Sequence, residues 1–235
     1  MAVIRTEGVT KVYAETKVKV HALNGVDLEI EEGEFSSLVG PSGSGKTTLL
    51  NVIGGLDEPS EGKVQVGGTE ITGLSENQLI DLRLYHIGFV FQSFNLIPVL
   101  TAKENVEFIT LMQKWKKKDR EERALELLKA VGLEDRVNNK PNELSGGQQQ
   151  RVAVARALAS KPEFVLADEP TANLDSKSST ELLDIMAKLN REEGITFIFS
   201  THDQRVIDRA RRVVTLQDGR VVSDEAHEPE TARAE

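Results

Sequence analysis

The sequence predicts an α/β fold in which a mostly parallel sheet is flanked by helices. Short apolar runs alternate with longer amphipathic runs along the chain, which is typical of a sheet covered by helices. Two of the apolar runs end in polar residues, as buried parallel strands do where they deliver side chains to a site. The chain has 235 residues, which suits one large domain or two small ones with a buried core.

Five apolar runs are predicted strands and four amphipathic runs are predicted helices. The strands are Phe35 to Val39, Lys63 to Val66, Ile87 to Phe91, Phe164 to Ala167 and Ile195 to Phe199. The helices are Lys46 to Ile53, Lys118 to Val131, Gln148 to Ala159 and Ser178 to Asn190. The second helix has apolar residues at helical spacing that predict one buried face, namely Ala124, Leu127, Leu128 and Val131.

The C-terminal part of the sequence predicts a hairpin followed by a tail. Val213 to Leu216 and Val221 to Val222 flank Asp218-Gly219, a dipeptide that favours tight hairpin turns. Residues 224–235 contain five acidic residues, one arginine and almost nothing apolar. We therefore expect a single domain over residues 1–223 and a disordered acidic tail over residues 224–235.

Composition excludes several classes of protein. The chain has 29 basic and 38 acidic residues, and its net charge of −9 argues against nucleic-acid binding through a broad basic surface. It has no cysteine, which excludes disulfides, thiol catalysis and Cys-ligated zinc. No secretory signal is visible at the N-terminus. The uncharged stretch Leu84 to Ala102 contains Pro98 and polar residues that would be costly in lipid, so no transmembrane helix is predicted.

A glycine-rich segment follows the predicted strand at residues 35–39 and opens the predicted helix at residues 46–53. It fits GxxxxGK[ST] and consists of Gly40, Pro41, Ser42, Gly43, Ser44, Gly45, Lys46 and Thr47, with Thr48 next. In this context the glycines let backbone amides and the helix N-terminus point at phosphate oxygens. Lys46 bridges the outer phosphates and Thr47 offers a hydroxyl to Mg²⁺. The sequence therefore predicts a nucleoside triphosphate site.

Two further segments contain residues that can act on a phosphate or its metal ion. The strand at residues 164–167 ends in Asp168 and Glu169, and in such a place one carboxylate can hold Mg²⁺ through water while the next orients or deprotonates an attacking water. Ser145 is a predicted N-cap, and Gly146 and Gly147 expose the amides at a helix start, which makes a second phosphate-seeking site. One triphosphate does not need two such sites, so the sequence indicates that each site serves a different nucleotide, one of which is bound mainly by a second copy of the chain.

These motifs resemble those of the ATP-binding cassette ATPases of ABC transporters. The Walker A motif at Gly40 to Thr47, the signature at Leu144 to Gln148, the Walker B motif at Phe164 to Asp168 with Glu169, and Ser200-Thr-His202-Asp occur in the order of that family. The resemblance covers roughly Val3 to Val222. It implies a P-loop NTPase core with an N-terminal antiparallel β subdomain and an inserted α-helical subdomain, here at approximately residues 93–158.

The resemblance also implies roles for individual residues. Tyr13 resembles the aromatic residue that stacks on adenine, and His202 would contact the γ-phosphate and position Glu169. The implied catalytic residues are Glu169, His202, Lys46 and Gln92, and the implied metal ligands are Thr47, Gln92 and Asp168. The residues implied to act across a dimer are Ser145, Gly146, Gly147, Gln148 and Asp175.

The implied activity is ATP hydrolysis with ATP and Mg²⁺ as cofactors. Two copies of the chain would form an ATP-dependent head-to-tail homodimer and drive a separate transmembrane permease. The expected location is peripheral, on the cytoplasmic face of the inner or plasma membrane, and no nucleic-acid partner is expected. The segments Tyr13 to Leu23 and Ile87 to Pro98 are similar to the lipoprotein-releasing and macrolide-export ATPases, which predicts a transporter of the export or lipoprotein-release type.

Other functions share parts of this motif set. A cassette ATPase without transport, partnering a membrane protein in cell division or envelope regulation, would have an identical nucleotide site. DNA-repair or condensation ATPases are disfavoured because Lys46 and Ser145 are only 99 positions apart, with no long heptad coiled coil between them. A simple P-loop kinase would lack the signature.

The basic run Lys114 to Lys118 is followed by mixed charges, which predicts a solvated helix start rather than a lipid contact.

Overall fold

A computed structural model of the chain describes residues 2–14 and 19–227. The strands in these ranges are β1 (Ala2–Tyr13), β2 (Val20–Glu31), β3 (Phe35–Val39), β4 (Glu61–Val66), β5 (Thr69–Glu70), β6 (Ile87–Val90), β7 (Phe164–Asp168), β8 (Thr196–Ser200), β9 (Arg212–Gln217) and β10 (Arg220–Ala226). The α-helices are α1 (Lys46–Ile53), α2 (Glu76–His86), α3 (Ala102–Met112), α4 (Lys117–Ala130), α5 (Gly146–Ala159), α6 (Ser176–Glu193) and α7 (Gln204–Ile207). All nine strands and helices predicted from the apolar and amphipathic runs are confirmed, each to within three residues at either end.

A six-stranded sheet of order β10-β9-β3-β8-β7-β6 forms the centre of the molecule. Every neighbouring pair in it is parallel except the terminal pair β9 and β10, so the predicted mostly parallel sheet is confirmed. Because the carboxyl ends of parallel strands lie at one edge of a sheet, β3, β7 and β8 deliver the segments that follow them to the same place. Those segments begin at Gly40, Glu169 and Thr201.

A second, antiparallel sheet of order β2-β1-β4-β5 confirms the N-terminal β subdomain. Strands β1 and β2 pair along their whole length, from Ala2 opposite Glu31 to Tyr13 opposite Val20, with several irregularities in register. This pairing ends beside the gap at residues 15–18, which lie outside the described ranges. The sheet therefore brings Tyr13 to the same end of the molecule as the glycine-rich segment after β3.

Two hydrophobic clusters cover opposite faces of the six-stranded sheet. Along β7, Phe164 and Leu166 belong to the cluster that contains α1 and the antiparallel sheet. Val165 and Ala167 belong to the cluster formed with α3, α4, α5 and α6. This alternation follows from the two-residue period of a strand that is buried on both faces. Helix α1 is thus packed between the two sheets, and this packing fixes the position of the glycine-rich segment that precedes the helix.

Helices α3, α4 and α5 pack on one another on the outer side of the second cluster. The predicted buried face of α4 is confirmed, because Ala124, Leu127 and Leu128 are almost fully buried. Helices α3 and α4 lie inside the range 93–158 expected for a helical subdomain, and α5 ends one residue beyond it and also packs against β6 of the central sheet. In the described parts of the chain, no helix combines the length and the apolar character needed to cross a membrane.

The C-terminal hairpin is confirmed, but the prediction of a disordered tail from residue 224 is wrong for its first residues. Strand β10 continues to Ala226, which pairs with Arg212 in β9. The guanidinium of Arg212 also donates to Asp224 at 2.7 Å and to Glu34 at 2.9 Å. The count of acidic residues did not reveal this basic partner on the neighbouring strand. Residues 228–235 of the predicted tail lie outside the described residues.

Candidate active site

A cleft of about 660 Å³ opens at the carboxyl edge of the six-stranded sheet. Its walls include Tyr13, the whole run Gly40 to Thr48, Gln92, Glu169 and His202. The predicted nucleotide-binding residues and all four predicted catalytic residues thus share one cleft. Further wall residues were not predicted from the sequence, namely Val20, His21, Ala22 and Ala172.

The backbone of the glycine-rich segment is pressed against two strands. Gly40 has a φ of 145°, and a Cβ added to it would lie 2.1 Å from the carbonyl oxygen of Leu216. Gly45 has a φ of 103°, and a Cβ there would lie 2.4 Å from the carbonyl oxygen of Ala22. Since no side chain fits at either position, only glycine allows the loop to take this path.

The N-terminus of α1 is open to an anion. Gly45 caps the helix without any side-chain hydrogen bond, and the first turn contains no acidic residue. The first backbone amides of a helix have no partner within the helix, and the helix dipole places partial positive charge there. The segment therefore has the features of a phosphate cradle.

Lys46 and Ser44 support this conclusion. The Lys46 side chain folds back over the loop, where its Nζ donates to the carbonyl oxygens of Gly40 at 2.9 Å and Pro41 at 3.1 Å. The buried hydroxyl of Ser44 has no hydrogen-bond partner among the described residues. A cation and an unpartnered hydroxyl beside an uncapped helix fit the outer phosphates of a nucleoside triphosphate.

The predicted metal ligands come from three segments, which lie after β3, at the end of β7 and after β6. The Thr47 hydroxyl donates to Asp168 Oδ1 at 3.1 Å, which connects the start of α1 to the end of β7. Gln92 lines the same cleft from the segment after β6. Hydroxyl, carboxylate and amide oxygens are the ligand types that suit Mg²⁺, which is bound with substrate phosphates and water in sites of this kind. The residues present therefore fit a Mg²⁺ ion.

Glu169 and His202 are in direct contact. His202 Nδ1 lies 2.8 Å from Glu169 Oε1, and the backbone amide of Glu169 donates to the carbonyl oxygen of Ser200 at 2.9 Å. Glu169 has a left-handed φ of 47°, a conformation that costs a non-glycine residue about 1 to 2 kcal/mol. The Glu169 carboxylate is thus held by the segment that follows β8. Such positional strain is typical of functional sites.

Asp203 supports this arrangement and was not predicted as a site residue. Its carboxylate accepts from the Thr171 hydroxyl at 2.7 Å and from both Nε and a terminal nitrogen of Arg205. Burial alone raises the pKa of Asp203, but the hydrogen bonds from Arg205 and Thr171 outweigh it and lower the pKa to about 2. Asp203 therefore joins the segment after Glu169 to the one that carries His202. Its only sequence signal was its position next to His202.

Tyr13 is held at the rim of the cleft by two residues that were not predicted. Its hydroxyl donates to Asp57 Oδ2 at 2.7 Å, and the Nζ of Lys11 lies 5.0 Å from the centre of its ring. Partial burial raises the pKa of Asp57, but hydrogen bonds from Lys11 and Tyr13 lower it below its ordinary value of 3.8. The ring is thus fixed as a flat aromatic surface that suits stacking on a base.

Gln92 lies in a segment that α5 holds in place. The side chain of Gln150 is fully buried in α5 and donates from Nε2 to the carbonyl oxygens of Phe91 at 3.2 Å and Pro170 at 2.8 Å. Asn173 Nδ2 donates to the carbonyl oxygen of Gln92 at 3.0 Å. One buried amide therefore connects α5 with the neighbours of both Gln92 and Glu169. The sequence contained no signal for Gln150 beyond its closeness to the signature.

The signature residues and Asp175 form a separate surface outside the cleft. Ser145 caps α5 by accepting from the amide of Gln148, whose side chain accepts from the amide of Ser145. A Cβ on Gly147 would lie 2.8 Å from Ser178. The amide and hydroxyl of Ser178 donate to Asp175 and lower its pKa. The fold thus joins the predicted dimer residues to each other, but it does not bring them to the cleft of the same chain.

Comparison with known proteins gives consistent matches. A family model described as ABC transporter matches residues 23–172. An "Uncharacterized ABC transporter ATP-binding protein" of Thermotoga maritima is 50% identical over 213 residues, which are 91% of this chain and 91% of that protein. The "Macrolide export ATP-binding/permease protein MacB" of Hyphomonas neptunium is 45% identical over 229 residues, which are 97% of this chain but 35% of that protein.

Solved structures match over a similar extent. A structure described as a dimeric post-hydrolysis state of the ATP-binding cassette MJ0796 bound to ADP and Pi is similar with a TM-score of 0.87. Its sequence, from Methanocaldococcus jannaschii, is 48% identical in the aligned region, which covers 95% of this chain and 98% of that chain.

Proposed function

We infer that this chain, which belongs to the ABC transporter family of ATP-binding proteins, binds ATP in the cleft described above. It is an ATP-binding and ATP-hydrolysing subunit of an ABC transporter of the export type. The proposed mechanism is supported by one observation, which is that the glycine-rich segment, Gln92, Glu169 and His202 line the same cleft. A cassette ATPase without transport is not favoured, because the relatives include macrolide export proteins.

ATP would bind along this cleft in one orientation. The amides at the start of α1 and the Lys46 side chain would hold the outer phosphates. The Tyr13 ring would stack on the adenine. Thr47, Gln92 and Asp168 would hold Mg²⁺, which when bound neutralises phosphate charge.

Hydrolysis would be promoted by Glu169 and His202. The Glu169 carboxylate would orient an attacking water and accept its proton, because it lies in the cleft with one oxygen already fixed by His202. The exposed His202 would contact the γ-phosphate and keep Glu169 in place. Lys46 would stabilise negative charge that develops on the phosphate.

A second copy of the chain would complete each site. Ser145, Gly146, Gly147, Gln148 and Asp175 are joined in one surface outside the cleft, where they could reach only the nucleotide of another copy. The related cassette MJ0796 is a dimer with ADP and Pi bound. ATP would therefore join two copies head to tail and hydrolysis would separate them, because the nucleotide binds the closed state more tightly.

A transmembrane permease would be the partner that this cycle drives. MacB is named as an ATP-binding/permease protein, and the cassette accounts for 35% of it. In this chain an apolar groove of about 500 Å³ runs between β6 and helices α2 and α3. Its walls include Leu84, Phe89, Phe91, Phe108 and Met112. We propose that an apolar permease segment binds in this groove, whose wall residue Phe91 directly precedes Gln92. The chain would then lie at the periphery of the membrane, on the cytoplasmic face of the inner or plasma membrane.

Purified protein tests this function directly. The chain should hydrolyse ATP only when Mg²⁺ is present, and the Glu169→Gln variant should accumulate as an ATP-bound dimer in size-exclusion chromatography with light scattering. The Ser145→Arg variant should bind ATP as a monomer and neither dimerise nor hydrolyse it. Absence of Mg²⁺-dependent hydrolysis together with absence of a Glu169→Gln dimer would show that the proposed mechanism is wrong.

A further inference from the structure

The turn between α3 and α4, together with the first two residues of α4, carries a dense positive charge. Lys114, Lys116, Lys117 and Lys118 fall within five residues of a chain whose net charge is −9. All four side chains are exposed. Lys117 lies 3.9 Å from Glu121, whereas the other three lysines form no ion pair with any residue in ranges 2–14 and 19–227. Three cationic heads are therefore available to an external anion.

A fifth lysine and a tryptophan complete this surface. Lys161, just after α5, is exposed, and its Nζ lies 5.8 Å from the centre of the Trp115 ring. Trp115 is half-buried, with its amide bonded to Thr110 and its carbonyl bonded to Arg120. The fold thus holds the aromatic ring at the base of a cationic cluster. We call Lys114, Trp115, Lys116, Lys118 and Lys161 the lysine surface.

The lysine surface is continuous with exposed apolar side chains. Leu111 and Met112, at the end of α3, are 49% and 53% exposed, and Phe108 one turn earlier is 36% exposed. Phe108 and Met112 also line the apolar groove that we assign to the permease. Exposed apolar residues, an aromatic ring and unpaired lysines together are the composition of protein surfaces that bind anionic bilayers.

We propose that the lysine surface binds anionic lipid headgroups beside the permease. The proposal rests on the proposed function at one point, since a permease in the groove would bring the adjoining surface close to the bilayer. Unpaired lysines on flexible side chains match the diffuse negative charge of lipid headgroups better than they match the fixed carboxylates of a protein partner. The sequence alone predicted a solvated helix start, because the acidic residues of α4 follow the basic run directly and Lys161 is distant in sequence.

Trp115 makes the proposal directly measurable, because it is the single tryptophan of the chain. The purified chain is mixed with vesicles of phosphatidylcholine with and without phosphatidylglycerol. We expect Trp115 emission to move to shorter wavelength with the anionic vesicles alone, and the chain to sediment with them. Both effects should weaken as salt is raised, because salt screens exposed charges. An unchanged emission spectrum together with no sedimentation would overturn the proposal.

A matched pair of variants tests which lysines act. The triple variant K114Q/K116Q/K118Q should bind anionic vesicles about tenfold more weakly or worse, because each lysine near an anionic surface contributes to affinity. The control K63Q/K177Q/K188Q removes three lysines exposed elsewhere and should bind like the unmodified chain. Equal loss in both triples, or no loss in the first, would refute the proposal.

Two further measurements distinguish lipid binding from protein binding and from failure of the ATPase. Soluble polyglutamate is added in place of vesicles, and binding to it without binding to vesicles would assign the surface to an acidic protein and reject the lipid proposal. ATP hydrolysis is measured on every sample and should be unchanged in both triple variants. A chain that hydrolyses ATP but ignores anionic vesicles rejects only the lipid proposal, whereas a chain without Mg²⁺-dependent hydrolysis rejects the proposed function.

Discussion

Replacing Asp203 by asparagine removes the charge that joins the Glu169 segment to the His202 segment. The lowering of its pKa from 3.8 to about 2 corresponds to about 2.5 kcal/mol of stability at neutral pH. The Asp203 side chain is 15% exposed and its partner Arg205 is 35% exposed, so solvent screens part of this energy. We therefore expect Asp203→Asn to lower the free energy of unfolding by about 1 to 2 kcal/mol at pH 7.

The pH dependence of this difference has a definite sign. Because the pKa of Asp203 is lower in the folded protein, its stabilising contribution is present above about pH 4 and is lost as the pH falls through about 2. At pH 3 about half of the contribution remains. The difference in unfolding free energy between the unmodified chain and the Asp203→Asn variant should therefore shrink from neutral pH to pH 3.

Urea unfolding followed by circular dichroism at pH 7 and at pH 3 measures both quantities. The matched control is Asp184→Asn, which removes a carboxylate that also pairs with an arginine but is 58% exposed. We expect the control to change the unfolding free energy by less than about 0.5 kcal/mol. An Asp203→Asn variant as stable as the unmodified chain at pH 7, or a difference that is equal at both pH values, would refute the reasoning.

Two further substitutions test the geometry of the cleft. Gly45→Ala should abolish ATP binding, because its Cβ would lie 2.4 Å from a carbonyl of β2. Gly43→Ala shares the backbone strain of a positive φ, here 79°, but its Cβ meets nothing within 4 Å, so it should bind ATP more weakly than the unmodified chain and more tightly than Gly45→Ala. Titration with a fluorescent ATP analogue compares the two variants. Gln150→Leu should lower kcat by about tenfold with little change in ATP affinity, because the carbonyls of Phe91 and Pro170 lose their buried donor. Steady-state kinetics measure this effect, and a rise in KM at constant kcat would contradict it.

The central sheet and the path of the glycine-rich segment after β3 were predictable from the sequence. Strand β3 and helix α1 begin and end at the predicted residues, Phe35 to Val39 and Lys46 to Ile53. A short apolar run, a glycine-rich turn and a helix start follow each other directly there, so local sequence determines local structure. The same holds for β7, where an apolar run ends in Asp168.

The N-terminal strands were harder to predict from their residues. Strands β1 and β2 are each 12 residues long, yet their pairing register shifts at several points, for example between Thr6 and Val9. Each shift breaks the two-residue alternation by which an exposed antiparallel strand is identified. Strand β4 of this sheet was predicted from its residues, but only the family resemblance indicated β1, β2 and the antiparallel subdomain.

The supporting residues of the site could not be predicted because their partners are distant in sequence. Tyr13 bonds to a residue 44 positions away, Gln150 to Phe91 across 59 positions, and Asp203 to Thr171 across 32 positions. Motifs identify residues that touch the nucleotide, since that chemistry restricts residue type and spacing locally. Residues that hold those groups in place are identified only when the fold brings the segments together.

The order of strands in the central sheet has a consequence for how the subunit is made. Strand β3, which leads into the glycine-rich segment, lies between β8 and β9, and the amide of Gly219 donates to the carbonyl oxygen of Ser44 at 3.1 Å. Synthesis proceeds from the N-terminus, so β3 leaves the ribosome long before these neighbours. A nascent chain released only as far as α5 lacks both flanking strands and the contact between Gly219 and Ser44. We therefore expect the proposed ATP site to form only near the end of translation, so that incomplete chains should neither bind nor hydrolyse ATP.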